Sequence, residues 1–248
     1  MVDAGGRIGV TPHGVRRMTP TGSFASNPTT IVWFGRRIAD EFSVPGTHRI
    51  LDVGCGDGTL LLDLAPRLPH ASLAGVDYSH ENMLVAHDRV ATSPHRDRIR
   101  LHEGDYLTVH DGTFDLIIAQ SSLQDIPVPV GTLAAKLVQD LAPTGRVVFT
   151  MPSRCLYNVV LNGFRRLLRA CRSPFTDRAI LSVASRLHPE HSTAFLRDRV
   201  EYMYFVVRHH EASMRTTLER LGLRTIAIEP MPQTSWGQPR HNLTVMSR

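Results

Sequence analysis

Between residues 50 and 150, five short apolar runs bounded by turn residues alternate with three longer stretches whose apolar positions recur at helical spacing. The runs fall at residues 50–53, 73–77, 99–102, 114–119 and 146–150; the helical stretches fall at 59–68, 79–90 and 130–141. This rhythm leaves few folds open, because a helix between two strands carries the chain back across the sheet and makes the strands parallel. It predicts a doubly wound α/β domain with helices on both faces of a mostly parallel sheet. One amphipathic helix precedes the first strand, with Ile31, Val32, Phe34, Ile38 and Phe42 in register and Pro45 and Gly46 as its stop.

After the fifth strand the rhythm breaks. Residues 154–208 hold amphipathic helical patterns and no convincing strand, which predicts a helical cap inserted at this point. A further helix at 210–221 ends at Gly222, and two last strands follow at 224–228 and 241–246. Their link is too short for a crossover helix, so they form an antiparallel terminal hairpin at the sheet edge and bring the sheet to seven strands. Residues 1–29 are rich in Gly, Thr, Ser and Pro without lasting periodicity and read as a flexible N-terminal arm that orders over a ligand; residues 30–248 read as a single domain. At 248 residues and 42% hydrophobic content, one large core fits better than two.

No apolar run approaches the roughly 20 residues that span a bilayer, and the first residues lack the layout of a secretory signal, so a cytoplasmic protein without membrane partners is expected. Cys55, Cys155 and Cys171 form no CxxC pair, which suggests reduced thiols and no zinc site. The formal charge of +5 raises the question of nucleic acid, yet Lys136 is the only lysine among 28 basic residues. Arginine in place of lysine nearly everywhere is more easily produced by GC-rich codons than by phosphate recognition. The surplus is local, with 13 arginines against 6 acids between Arg154 and Arg224.

The stretch Asp52-Val53-Gly54-Cys55-Gly56-Asp57-Gly58 stands where the first buried strand turns into a helix. Three glycines there let backbone approach a ligand and adopt dihedrals closed to other residues. Asp77, 25 positions after Asp52 and at the tip of the second strand, suits a carboxylate that accepts hydrogen bonds from two vicinal ribose hydroxyls. The spacing is GxGxG with an acid ahead of it, not the dinucleotide GxGxxG. A carboxylate at the loop favours a ligand carrying an amine and a sulfonium and repels a pyrophosphate, which ranks NAD low.

These residues, with Asp77 and Glu103-Gly104-Asp105-Tyr106, resemble the first three motifs of the class I S-adenosylmethionine-dependent methyltransferases. The resemblance covers about residues 49–151 and the terminal hairpin. It implies that the loop around Asp52, Gly54, Cys55 and Gly56 holds the methionine moiety and Asp77 the ribose. Gly104 and Asp105 would meet the adenine, Asp105 at its amino group, with Tyr78, Met83 and Tyr106 as apolar cover.

The fourth strand leads into Gln120-Ser121-Ser122-Leu123-Gln124-Asp125-Ile126-Pro127, at the strand end where open α/β sheets bind ligands. Gln120 and Ser121 are read as cofactor contacts. Asp125 stands where many small-molecule members of the family carry a histidine; it is the one catalytic candidate, able to position an amine or accept a proton, against the alternative of a turn residue before Pro127. The cap offers His188, His191, His209 and His210 as possible bases and Tyr157, Tyr202, Tyr204 and Phe205 as possible pocket walls, but surface roles for the histidines and helix packing for the aromatic residues are the more frequent explanations, and no histidine is named as catalytic. No Asn-Pro-Pro-aromatic stretch follows the fourth strand and no metal-binding acid pattern follows the fourth or fifth, which disfavours base-amino methylation and a divalent metal. The sequence thus reads as a metal-independent methyltransferase acting on a small organic acceptor. The rivals are an RNA methyltransferase and a protein that binds the same cofactor for another purpose; oligomeric state is left open.

Overall fold

A computed structural model of the chain describes residues 28–43, 46–187, 189, 192–193, 196–197, 200–204, 206–232 and 239–248. Seven strands form one sheet: β1 (Arg49–Val53), β2 (Ser72–Asp77), β3 (Ile99–Glu103), β4 (Phe114–Gln120), β5 (Leu141–Pro152), β6 (Arg224–Pro230) and β7 (His241–Ser247). Their order is β3-β2-β1-β4-β5-β7-β6. The first five pair in parallel. β7 enters antiparallel between β5 and β6, so the expected hairpin closes the sheet with β6 at its edge. The order reverses between β1 and β4, which opens a crevice at the carboxyl ends of those two strands.

The central strands are buried on both faces, and alternate side chains feed two separate cores. Ile50 packs with Phe34, Ile38, Leu61, Leu64 and Met83 on one face. Leu51 and Val53 pack with Leu133, Leu137, Phe149, Met214 and Leu218 on the other. The first face is covered by α1 (Pro28–Arg37), α2 (Thr59–Arg67) and α3 (His80–Ala91); the second by α4 (Val130–Asp140) and α7 (Glu211–Arg220). After β5 come α5 (Leu156–Ala170), α6 (Pro174–Leu187) and a 3₁₀ turn, Val200–Tyr204. This is the α/β doubly wound, seven-stranded arrangement the alternation predicts.

Several boundaries differ from expectation, β5 most, which runs Leu141–Pro152 and not 146–150 and takes Leu141 from the end of the preceding helix. The first helix is α-helical only to Arg37 and continues as a π-helical turn, Ile38–Phe42, with Ser43 N donating to Ile38 O at 2.8 Å. Both Ile38 and Phe42 are buried, and the wider turn keeps them in the core. Ser79 stands outside α3 as its cap, its hydroxyl accepting from Asn82 N. Most of the proposed N-terminal arm, together with His188, His191 and Phe205, lies outside the described residues, as does the side chain of Tyr202.

Candidate functional site

The glycine loop is built by three backbone reversals. Gly54, Gly56 and Gly58 all have positive φ, at 78°, 56° and 76°. Gly54 N and Cys55 N both donate to Val76 O, at 2.8 and 3.1 Å, which folds the loop back over the end of β2. At Gly54 the lack of a side chain is also steric, because a Cβ there would stand 2.4 Å from Ser122 Cβ. At Gly56 it would meet nothing within 4 Å, so the loop leaves open space above that residue. The start of α2 is fixed by Asp57, whose carboxylate accepts from Thr59 N and Thr59 Oγ1 and pairs with Arg89 Nη1 at 2.7 Å. The sequence offers little to single out Arg89, which comes from the last turn of α3.

Asp77 ties together the two loops that border the crevice. Its Oδ2 accepts from Gly56 N and its Oδ1 from Ser79 N, each at 2.8 Å, while its backbone oxygen accepts from Gly104 N at 2.9 Å. Burial raises its carboxyl above the ordinary range, opposed by the hydrogen bonds from Ser79, Gly56 and the Asn82 side chain. With three of its roughly four lone-pair sites taken, the carboxylate retains room for a further donor.

Asp52 sits deeper, 1% exposed on β1. Burial, and then the negative charge of Asp77, push its carboxyl up to about 8. Its Oδ1 has no hydrogen-bond partner among the described residues. Burial also holds the Cys55 thiol well above its usual range, so Cys55 is protonated and packs as an apolar side chain.

On the far side of Asp77, Asp105 is half-buried and caps the 3₁₀ turn Tyr106–Thr108 through Leu107 N at 3.0 Å. Of the three residues expected to cover a ring, only Tyr78 is half-exposed. Met83 has no exposed surface and belongs to the core under α3 with Ala86 and Val90 on the same inward face, so the expectation that it lines the crevice is corrected. Tyr106 is likewise drawn inward, 5% exposed with Lys136 Nζ 5.2 Å from its ring centre.

The loop after β4 closes the opposite wall. Ser121 is the one described non-glycine residue with positive φ, 55°, and its N donates to Thr150 Oγ1 at 2.9 Å. Ser122 Oγ donates to Val53 O, which seats this loop against the glycine loop. Gln120 is nearly buried, and its Nε2 has no partner among the described residues. Asp125 ends the 3₁₀ turn Leu123–Asp125. Its Oδ1 is shielded from solvent with no partner among the described residues, and burial pushes its carboxyl up to about 8 against the lowering effect of Arg208. His209 Nε2 lies 3.3 Å from Ile126 O, so the chain entering α7 borders the same loop. Arg208, Ser122 and Thr150 carry no signal in the sequence; each is brought in by strand order. Cofactor and acceptor candidates thus converge at the carboxyl ends of β1, β2 and β4, whereas Met83 and Tyr106 do not reach that crevice.

Residues 50–145 match the model of a family described as a methyltransferase domain. The chain is 33% identical over 135 residues to a demethylmenaquinone methyltransferase of Symbiobacterium thermophilum, a match covering 53% of each chain. It is 39% identical over 79 residues to a tRNA1(Val) (adenine(37)-N6)-methyltransferase of Bacteroides thetaiotaomicron, covering 31% of this chain and 33% of that one. It spans about half the length, or less, of these curated relatives. Among solved structures, the N-methyltransferase NodS of Bradyrhizobium japonicum, in complex with S-adenosyl-L-homocysteine, superposes with a TM-score of 0.59 at 16% identity, covering 90% of this chain and 89% of that one. Over residues 50–145, which carry the glycine loop and β1 to β4, the chain is thus similar to a methyltransferase domain.

Proposed function

We propose that this chain transfers a methyl group from S-adenosylmethionine to a small organic acceptor. The observation that carries the reading is the position of Asp77, bonded to Gly56 N on one side and Gly104 N on the other, beside a loop with open space above Gly56. The residues fit the cofactor's chemistry. Asp77 offers lone pairs to the ribose hydroxyls, and Asp105 offers its carboxylate to the adenine amino group, with Tyr78 at the ring. The loop from Gly54 to Gly56 receives the methionine moiety. A cation beside the carboxyls of Asp52 and Asp77 relieves the repulsion that raises the first of them. S-adenosylmethionine, when bound, supplies a methyl group already activated by its sulfonium charge.

The protein's own contribution is then orientation and exclusion of water. Gln120 and Ser121 border the cofactor at the end of β4, and Asp125 faces the acceptor. A carboxyl pushed up to about 8 is mostly protonated at neutral pH; once ionised it is a stronger base than an exposed carboxylate for an acceptor hydroxyl or amine. The segment after β5 covers this end of the sheet and shapes the acceptor pocket. A small acceptor is supported by the longer of the two relatives' matches, to a quinone methyltransferase over 135 residues, against 79 for the tRNA enzyme.

Calorimetry with S-adenosylmethionine and S-adenosylhomocysteine on wild type and Asp77→Ala tests the cofactor site; equal affinities would reject it. Release of S-adenosylhomocysteine in the presence of quinol and phenol acceptors tests transfer. The arginine surplus after residue 154 favours RNA as the second reading, which predicts filter-bound RNA lost steeply with salt.

A further inference from the structure

Helix α5 is built inside out. Its buried residues are Asn158, Asn162 and Arg165, and its exposed face carries Leu156, Val159, Val160, Phe164 and Leu167. At 100° per residue these five lie within one stripe, with Gly163 in its middle. A Cβ added at Gly163 would meet nothing within 4 Å, so no described residue covers the stripe there. Leu156 is 79% exposed and Leu167 63%.

The orientation is fixed by polar contacts on the inner side. Asn158 Nδ2 donates to Ser153 O at 2.7 Å and to Arg240 O at 2.8 Å, and Asn158 Oδ1 accepts from Arg240 N at 2.8 Å. Asn162 Oδ1 accepts from Val207 N. Rolling the helix to hide its apolar face would break these bonds and take the Asn158 and Asn162 side chains from Ser153 O, Arg240 N and Val207 N.

The rim of the stripe is basic. Residues 154–187 contain seven arginines and one acid, Asp177, which is held by Arg172 and the Tyr204 hydroxyl. Arg166 flanks Val159 at one edge of the stripe and Arg154 stands just before the helix, both exposed; Arg169, also exposed, lies at the angle of Asn158 and Asn162 on the inner side. A second copy docked through a two-fold axis would set this arginine rim against itself with no free acid to answer it. Nor does the stripe carry a hydrogen-bonding side chain that could set the register of a protein groove. An apolar helical face bordered by arginines fits a surface that is apolar within and anionic outside.

We propose that α5 is an interfacial helix that docks this protein on an anionic lipid bilayer, with Leu156, Val160, Phe164 and Leu167 entering the acyl boundary and the arginines meeting the headgroups. The inference goes beyond methyl transfer and does not depend on it. Among the described residues no helix is long and apolar enough to cross a membrane, so the attachment is peripheral.

The test is co-sedimentation of the full chain with vesicles of phosphatidylcholine alone and with about 30% phosphatidylglycerol. Wild type is expected to bind the anionic vesicles, to bind neutral ones weakly, and to be released as salt approaches about 0.5 M. The double variant Val160→Ser/Leu167→Ser is expected to bind roughly tenfold or more weakly, and Arg154→Gln/Arg166→Gln to lose the preference for anionic lipid. Both positions of each variant are exposed, so circular dichroism and thermal unfolding should match wild type. Failure of wild type to sediment, binding indifferent to lipid charge, or undiminished binding by the serine variant would overturn the proposal. So would light scattering that shows a dimer dissociated by the serine variant, which would give the face to a second copy.

Discussion

Helices α4 and α5 flank the same strand, one leading into β5 and the other leaving it, and they obey opposite rules. In α4, Leu133, Ala134 and Leu137 are fully buried against the sheet. Even its charged pair, Lys136 and Asp140 at 2.6 Å, is buried and closed on itself, with Lys136 Nζ also donating to Val109 O. In α5 the amides face inward and the aliphatic side chains face out. Apolar periodicity marks both as helices, but only in α4 does it also say which face meets the core. The hydrophobic term decides α4; a small set of directional hydrogen bonds overrides it in α5.

That contrast can be broken or sharpened by measurement. The largest effect is expected at Leu137→Ala, which opens a cavity in the second core and should lower unfolding free energy by about 2–5 kcal/mol in denaturant titrations. A small change would mean that α4 is not the packed helix described.

Next comes the crevice end of the parallel sheet. Asp77→Ala should weaken S-adenosylhomocysteine binding by about 1.5–3 kcal/mol in calorimetry, as for hydrogen bonds to a charged group, while substitutions on the outer face of α5 leave that affinity unchanged. Asn158→Leu probes the inner face of α5. It removes the Asn158 bonds to Ser153 O and Arg240 N, while Arg240 O keeps Ser153 N, and a loss of about 1–3 kcal/mol is expected from thermal or chemical unfolding. A neutral or stabilising result would show that apolar contacts, not these bonds, seat the helix.

A gentler signature is spread over pH. Asp52 is raised to about 8 in the fold, against about 4 for an exposed carboxyl. Below about 4 both states hold the proton and the contribution is whole. As pH rises towards 8, the unfolded chain ionises first and stability is lost. The unliganded protein should therefore weaken between about pH 5 and about pH 8, and Asp52→Asn should flatten that fall. Asp125, also raised to about 8, adds to the same slope and serves as the comparison variant. The smallest effect belongs to Leu167→Ala, within about 0.5 kcal/mol of wild type, because an exposed side chain has little packing to lose. A large loss there would mean that something covers the stripe.

The sequence by itself determined the order and kind of the elements, because strand and helix periods are local and repeat within a few residues. It also determined the glycine loop and its distance from Asp77, since the three reversals at Gly54, Gly56 and Gly58 need residues without side chains. What it left undecided is whatever depends on separation in space. Ser122 reaches Val53 across 69 positions, and Arg208 reaches Asp125 only because α7 packs beside α4 and returns its entry to the end of β4. Met83 and Tyr106 have the composition of a ring pocket, yet each lies on the inward side of its turn and is drawn into a core. The direction in which α5 faces belongs to the same class. A helix's apolar stripe is written in its own residues, but the partners that hold Asn158 come from Ser153 and from Arg240 on the approach to β7, and only the closed sheet brings them together.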